Sequence, residues 1–531
     1  MKPILTLCIL LAMLPLAIFS QDKPDYVGGF PDGCTSVTCG KKATADGSVI
    51  TSHTDDSHRT RSDINVVAAM DHKAGSMAVM TKRVLSNDFP MPLYIYKPVG
   101  EIPQVEHTYG YINTAYPCIN EKQLAIGEST FGGREELHSD SGLIDCTQLV
   151  ALMMERCTTA RQAIQMAGEL TAKYGYNDEG ECLTIADKHE VWHLEIVGPG
   201  KGKLGSVWVA QRVPDDEVSV NANASRIRRV DLSRPDYFMA SENLFSVAME
   251  HGWWTPEMGE FEFCYAYAPE SRTSAAGRRR EWRVFDLLAP SLKLDPNSEN
   301  YPFSVKPDQP VTLEKLVEVF KDYYEGTEFN MIKDLLVVGD SGKAVISPVA
   351  NPFMPYDMNK MLRINGGWGW YGERTIARWY TMYGTIIQCR DWLPDDIGGL
   401  AWIALDNIAS SIYIPVYCGV TDMPAPYKVD GRRTGMSRTS AWWAFNYMGT
   451  TAAHRWADMR KDCDATWGPW QAELFSKQKT FEAEALKLAD PKKPAKLREF
   501  LTRYTGEWGN KVVQKAWELG DFLWTKYDEK F

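Results

Sequence analysis

Apolar and polar residues alternate in short runs punctuated by turn residues through much of this chain, a pattern that predicts strands in hairpins. Two such runs, Cys34 to Lys42 and Ser48 to Thr54, are rich in Thr, Val, Ile and Ser and flank Ala45-Asp46-Gly47. They predict two strands joined by a tight turn, and antiparallel pairing would bring residues numbered about 34 and 56 together at the open end. Glu181 to Ala186 and Glu190 to Val197 flank Asp187-Lys188-His189 in the same way, as do Leu335 to Val338 and Ala344 to Ile346 around Gly339-Asp340-Ser341-Gly342. A helical period appears where Thr158-Thr159 precede Ala160, Ala163, Ile164, Ala167, Leu170 and Tyr174, and Gly175 ends it. After about Trp470 the pattern turns helical: Glu482 to Ala489, a break at Pro491 to Pro494, then Lys496 to Tyr504 and Lys511 to Tyr527. Blocks of hairpins and helices in this arrangement predict an α+β fold of antiparallel sheets layered with helices.

One run is uninterrupted. Ile4 to Phe19 is almost wholly apolar, follows the basic start Met1-Lys2 and ends before the small Ser20. It is shorter than the ~20 residues a spanning helix needs and is broken by Pro15, so it predicts a secretory signal peptide that leaves no stable membrane insertion after removal. Gln21 to Gly33, polar and rich in Pro and Gly, predicts a short propeptide. The expected organisation is a signal peptide over 1–20, a propeptide over 21–33, a main domain over 34–470 and a helical extension over 471–531. The destination is periplasmic or extracellular.

Composition narrows the function. The 531 residues are 44% hydrophobic and 24% charged with a net charge of −11, and Arg278-Arg279-Arg280 is the one basic block, which argues against a nucleic-acid partner. Of eleven cysteines, removing Cys8 with the leader and setting Cys34 apart leaves nine, so at least one more thiol is unpaired. No C-x-x-C pair is present, which argues against structural zinc. Cys39 reads as a buried small residue pointing to the opposite strand face from Cys34.

Cys34 carries the candidate chemistry. If cleavage makes it the first residue of the mature protein, its own α-amine, with an ordinary pKa of about 7.7 to 8.0, can accept the thiol proton near neutral pH. The hairpin makes His53, Asp55 and Asp56 its neighbours, and a nearby carboxylate such as Asp56 would orient the amine. The same thiol can attack the Gly33 carbonyl in the precursor, with Gly33 expected to tolerate the strained backbone this requires. Three rival patterns carry less. His53-Thr54-Asp55-Asp56-Ser57-His58 suggests a metal cluster, but strand alternation leaves two ligands per face. Gly339 to Gly342 looks like a serine-protease nucleophile segment but sits where a hairpin turn belongs. The 18 Trp and 24 Tyr, dense between Trp368 and Trp443, allow a peptide- or glycan-binding cleft without catalysis.

The stretch from Cys34 to Asp56 resembles the amino terminus of the dipeptidase A-like cysteine peptidases, relatives of penicillin V acylases, bile salt hydrolases and secernins in the N-terminal-nucleophile superfamily. The resemblance extends over about residues 34 to 430. It includes Asn120 to Thr130, Thr159-Ala160-Arg161 with Tyr174-Gly175-Tyr176, Ile185-Ala186-Asp187 with Glu190-Val191-Trp192, Ala222 to Ile227, and Leu393 to Gly398. It implies two stacked antiparallel sheets between helix layers, hydrolysis of dipeptides or short peptides, and no metal or organic cofactor. It implies Cys34 as nucleophile with its amine as base, Asp56 as the carboxylate that holds the amine, and Asn223 as an oxyanion donor, with the backbone near Ser129 supplying a second. Relatives carry Arg or Lys three positions before that carboxylate; His53 stands here instead, so activity is expected to vary more with pH. Arg374 and Arg378 are both candidates for a further basic site residue. An amidohydrolase acting on N-acyl amines is the runner-up within the same chemistry.

Overall fold

The computed structural model describes residues 32–352 and 374–530. The expected signal peptide, the propeptide up to residue 31 and Trp368 lie outside the described residues.

Two antiparallel sheets carry the fold. The first contains β1 (Gly33–Cys39) and β2 (Val49–Asp56) at its centre, with Val218–Asn221 and then Ser304–Val305 beside β1, and Thr381–Cys389, Leu400–Leu405 and Ile414–Tyr417 beside β2. The second runs in the order Phe238–Ala240, Val207–Arg212, Val191–Val197, Gly180–Ala186, Ala125–Gly132, Ile119–Asn120, Tyr111–Asn113, Asn65–Val67. β1 and β2 are buried along their whole length, which fits their β-branched and small polar residues lying between two covering layers.

The two sheets meet through hydroxyls near the site. Ser36 Oγ donates to the Glu128 carbonyl at 3.2 Å, Thr51 Oγ1 to the Thr184 carbonyl at 3.0 Å, and Thr38 Oγ1 contacts His193 Nε2 at 3.0 Å. Residues 34, 36 and 38 of β1 therefore face the second sheet, and 35, 37 and 39 face the helices outside the first. One of those outer helices is Ala275–Leu288, whose Arg280 reaches the Cys34 carbonyl. On the far side, helices Cys146–Arg156 and Ala160–Tyr174 cover the second sheet. Asn120 Nδ2 donates to the Met154 and Cys157 carbonyls, and Gly168 lies against the Trp208 ring. The layering is helix, sheet, sheet, helix.

Local rules explain several boundaries. Helix Ala160–Tyr174 starts at Thr159, whose side chain accepts from Gln162 N, and ends where the Gly175 N–H still reaches the Thr171 carbonyl. The hairpins over Gly180–Ala186 and Val191–Val197, and over Leu336–Val338 and Ala344–Ile346, form as the alternation predicts. The β1–β2 connection differs from the expected tight turn. It runs from Gly40 to Ser48, held by Gly40 N donating to Glu217 O at 3.0 Å and Ala45 N to Val311 O at 2.9 Å, so distant chain sets its shape. The register is still the one expected, with Cys34 opposite Asp55 and Gly33 opposite Asp56.

Helices Ala441–His454, Trp456–Leu486 and Ala495–Lys526 form the C-terminal part. Helical structure thus begins well before Trp470, and the expected separate segments after Lys496 are one helix. Helix Trp456–Leu486 continues through Pro469 despite the roughly 3 kcal/mol this costs, because Trp456, Met459, Cys463, Trp467, Leu474 and Phe481 bury one side of it. Within helix Ala495–Lys526, Gly509 serves close packing: a Cβ there would lie 2.8 Å from Pro424 Cγ. Among the described residues no helix is long and apolar enough to cross a membrane.

Candidate active site

The open end of the β1–β2 hairpin gathers groups from five elements around Cys34. The residue is 4% exposed, and its thiol donates to Glu128 Oε2 at 3.2 Å, across the gap between the sheets. Its backbone N–H donates to Asn223 Oδ1 at 2.9 Å. Its carbonyl accepts from Arg280 Nη1 at 2.6 Å. Every polar group of Cys34 is therefore held by a residue distant in sequence.

Asn223 is the hub on the amide side. Its Oδ1 accepts from Cys34 N, from Arg374 Nη1 at 2.7 Å and from Arg280 Nη2 at 2.9 Å. Three donors around one oxygen fix the orientation of the amide. Its Nδ2 donates to the Thr130 carbonyl at 2.7 Å, and its own N–H donates to Ser129 Oγ at 2.9 Å. The left-handed backbone of Asn223, φ 55°, turns the side chain back toward β1. Ser129 thus enters the site through its hydroxyl.

Asp56 is fully buried at the end of β2, paired with Arg374 Nη2 and accepting from Thr381 Oγ1 at 2.6 Å. Arg374 bridges Asp56 and Asn223, so in the uncleaved chain the carboxylate reaches the Cys34 nitrogen through a guanidinium and an amide. Burial would weaken the Arg374 charge, but Asp56 beside it holds the guanidinium above its ordinary value. Arg378, the other candidate, lies apart: its Nη2 donates to the Tyr380 hydroxyl at 2.9 Å and the guanidinium covers that ring. Geometry separates the two arginines that sequence left equal.

Gly33 is needed for space. Its φ lies outside the left-handed region, so no backbone strain marks the position, contrary to the reason expected for a glycine here. A Cβ at Gly33 would overlap the Arg374 guanidinium, with Cζ 2.8 Å away and Asn223 Oδ1 2.9 Å away. A side chain there would have to displace the Arg374 guanidinium from Asp56 and Asn223, so glycine keeps the peptide directly across these two groups.

His53 sits beneath the thiol, 1% exposed. Its Nε2 is 3.4 Å from Glu128 Oε2, an electrostatic contact too poorly aligned to be a hydrogen bond, and its Nδ1 is 3.3 Å from the Tyr383 hydroxyl. Cys34, His53 and Glu128 offer ligand atoms within 4.8 Å of one another, so a thiophilic divalent ion would find three ligands here. The third comes from the opposite sheet, which strand alternation within residues 53 to 58 does not show.

The electrostatics keep the resting thiol protonated. Burial pushes the Cys34 thiol well above its ordinary value, and Glu128, Asp55 and Asp56 add to the rise. Asp55, opposite Cys34, is pushed up to about 7 by burial, against the opposing pull of His53 and a 2.7 Å hydrogen bond from Thr60 Oγ1. Glu128 and Glu181 form a buried acid pair bridged by Thr130 Oγ1, at 3.1 and 2.9 Å. Burial raises Glu181 far above the usual carboxylate range, with Glu128 adding to it; burial acts on Glu128 too but is outweighed by the adjacent Glu181 carboxyl and His53 ring, which hold it low. Glu181 keeps the shared proton and Glu128 carries the charge. A thiol this buried among carboxylates is a poor nucleophile until a base is placed beside it.

Glu128, Arg280 and Tyr383 are site residues that sequence reasoning did not assign. Glu128 lies inside the Asn120 to Thr130 block, where a carboxylate in an apolar strand is the available signal. Arg280 belongs to the Arg278 to Arg280 triplet. It is 1% exposed and turns inward to the Cys34 carbonyl, whereas Arg278 is half-buried. Tyr383 carried no signal beyond being aromatic.

Comparison with known proteins follows the same residues. The model of peptidase family C69 matches residues 33–468. A probable dipeptidase of Latilactobacillus sakei is 25% identical over 414 residues, covering 74% of this chain and 76% of that protein. Probable dipeptidase B of Streptococcus pyogenes serotype M1 is 24% identical over 501 residues, 90% of this chain and 89% of that protein. A probable dipeptidase of Salmonella dublin is 24% identical over 402 residues, 73% and 81%. The match covers the thiol, the acid pair and the arginine bridge alike, and the chain belongs to peptidase family C69, whose members are cysteine-type hydrolases of peptide bonds.

Proposed function

We propose that this protein is an exported dipeptidase whose nucleophile, Cys34, is freed by cleavage of the Gly33–Cys34 bond. The observation that carries this reading is the placement of that peptide. Its N–H is held by Asn223, its glycine lies on Arg374 with no room for a side chain, and the thiol stands on the same residue. That the family match begins at residue 33 and that the relatives are named dipeptidases supports the reading.

Maturation begins when the Cys34 sulfur attacks the Gly33 carbonyl carbon. The C–N bond breaks as the acyl group moves to sulfur, and the nitrogen takes the thiol proton. Water then hydrolyses the thioester, releasing a carboxylate ending in Gly33 and leaving Cys34 with a free amine and thiol. In turnover the amine accepts the thiol proton, sulfur attacks the scissile carbonyl of the substrate, and the ammonium returns a proton to the departing amine. Water cleaves the acyl-enzyme and restores the thiol.

Asn223 and the Arg374–Asp56 pair hold the new amine. Asn223 Oδ1 already accepts from this nitrogen, and Asp56 supplies the negative charge that favours it as ammonium. The oxyanion role of Asn223 requires its Nδ2 to exchange the Thr130 carbonyl for the developing charge. The apolar run Ile4 to Phe19 supplies the export signal.

The test is hydrolysis of a dipeptide panel beside a panel of N-acyl amino acids, by wild type and by Cys34→Ala. Turnover of dipeptides by the wild type alone supports the proposal. Preference for the N-acyl panel replaces it with the amidohydrolase reading, and turnover by the alanine variant removes the nucleophile.

A further inference from the structure

We propose that Arg59 and Tyr94 form the subsite for the free carboxylate of a peptide substrate, and that Asp32 of the propeptide fills it until cleavage empties it. The inference rests on the cleavage at Gly33–Cys34 set out above.

Asp32 Oδ1 lies 2.8 Å from Arg59 Nη1, and the Tyr94 hydroxyl donates to Asp32 Oδ2 at 3.1 Å. All three line a cavity of about 390 Å³ that Tyr116, Thr130 and Glu181 also line. Two of these residues touch neighbours of the nucleophile. The Tyr116 ring stands edge-on to His53 with centroids 5.6 Å apart, and Thr130 donates to Glu128, the acceptor of the thiol. Asp32 precedes Cys34 by two residues, a reach of about 7 Å at full extension, which is also the span of a dipeptide.

Cleavage changes the charge balance of this cavity at one place. Arg59 is 15% exposed and, among the described residues, its ion-pair partner is Asp32 alone. Arg83, the other arginine of the cavity, keeps the Tyr116 hydroxyl at 2.6 Å and Asp178 at 2.8 Å whatever happens to the propeptide. Loss of Asp32 therefore leaves one guanidinium and one phenol with no acceptor among the described residues, in a cavity whose lining reaches the neighbours of the thiol. A guanidinium so placed takes up another carboxylate, because its charge has lost its partner and its donor geometry fits two oxygens. The departing residue of a dipeptide brings one. Propeptide and substrate need not run in the same chain direction, since what the substrate inherits is the vacated cation. A carboxylate gripped this near the scissile bond selects peptides with one residue after it, which is dipeptidase specificity expressed as geometry.

The test compares a dipeptide with its C-terminal amide on mature protein whose first residue has been verified by N-terminal sequencing. For Arg59→Gln, kcat/KM for the free dipeptide should fall on the order of 10- to 100-fold, through KM, while the amide changes by less than about 3-fold. Arg59→Lys should recover part of the loss, and Tyr94→Phe should give a smaller loss of the same selectivity. Equal losses on acid and amide, or no loss on either, overturn the subsite and leave the nucleophile standing. An active protein that still carries Asp32 overturns both the subsite and the maturation reading.

Discussion

Cys34 and Cys39 sit at opposite ends of one strand, and the contrast between them shows what distinguishes a nucleophile from a packing residue. Both are buried, at 4% and 0% exposure, and burial pushes both thiols above their ordinary values. Depth alone separates nothing. Cys39 faces the helix side and belongs to the main hydrophobic core. Cys34 faces the gap between the sheets, where Glu128 accepts from its sulfur, Asn223 holds its nitrogen and Arg280 its carbonyl. The closed end of the hairpin is tied down by backbone bonds to Glu217 and Val311, whereas the open end is tied down by charged side chains. Reactivity in this account comes from those neighbours and from one place in the chain where a cut creates an amine.

The sharpest break in that comparison is substitution of the two cysteines. Cys34→Ala should lower peptide hydrolysis by at least about 10⁴-fold and leave the propeptide attached, read by kinetics and intact mass. Cys39→Ala should process normally and keep activity within about 3-fold, costing about 1–2 kcal/mol in denaturant unfolding as a small cavity opens. Comparable activity losses from the two would erase the distinction drawn here.

Arg374→Met probes the charged lock at the open end. It leaves Asp56 fully buried without its counter-ion, so a stability loss of about 3–5 kcal/mol is expected together with loss of activity. Arg374→Met combined with Asp56→Asn should recover most of the stability and none of the activity, which separates folding from chemistry.

Gly33→Ala acts on the maturation step alone. Its Cβ would collide with Arg374 and Asn223, so processing of the freshly synthesised precursor should slow by about 100-fold, followed by the appearance of the mature mass. Protein that does complete the cut should have wild-type kcat, because residue 33 is then gone.

The smallest effect concerns pH. Asp55 stays protonated in the fold up to about pH 7 but ionises near 4 when unfolded. The fold therefore binds more protons in this window, and the stabilising contribution of Asp55, full below about pH 4, is lost as pH rises toward 7. Asp55→Asn, made in the uncleaved Cys34→Ala protein, should gain on the order of 1–2 kcal/mol more relative to its parent at pH 8 than at pH 4. Equal differences at both pH values would show that Asp55 is charged in the fold.

What was legible in the sequence follows from how local each feature is. The β1–β2 register was readable because alternation and a turn fix it within one hairpin, and helix Ala160–Tyr174 because Thr159 and Gly175 mark its ends. The connection at Gly40 to Ser48 was not, since its partners lie near residues 215 and 311. Glu128 and Arg280 escaped for the same reason: each reaches Cys34 from another layer, and a carboxylate in a strand or an arginine in a basic triplet does not say which residue it meets. The arginine choice was open for want of the fold, which places Arg374 against Asp56 and Arg378 against Tyr380. Gly33 was picked for backbone freedom and turned out to matter for clearance. The segments Lys496 to Tyr504 and Lys511 to Tyr527 join into one helix, in which Gly509 meets the close approach of Pro424.

The most direct measurement is the N-terminal residue and intact mass of the active protein, purified from cells without further treatment. Sequencing should begin at Cys34 and the mass should fall short of the unprocessed chain by residues 1–33. An active enzyme that begins anywhere upstream of Cys34 would contradict this account.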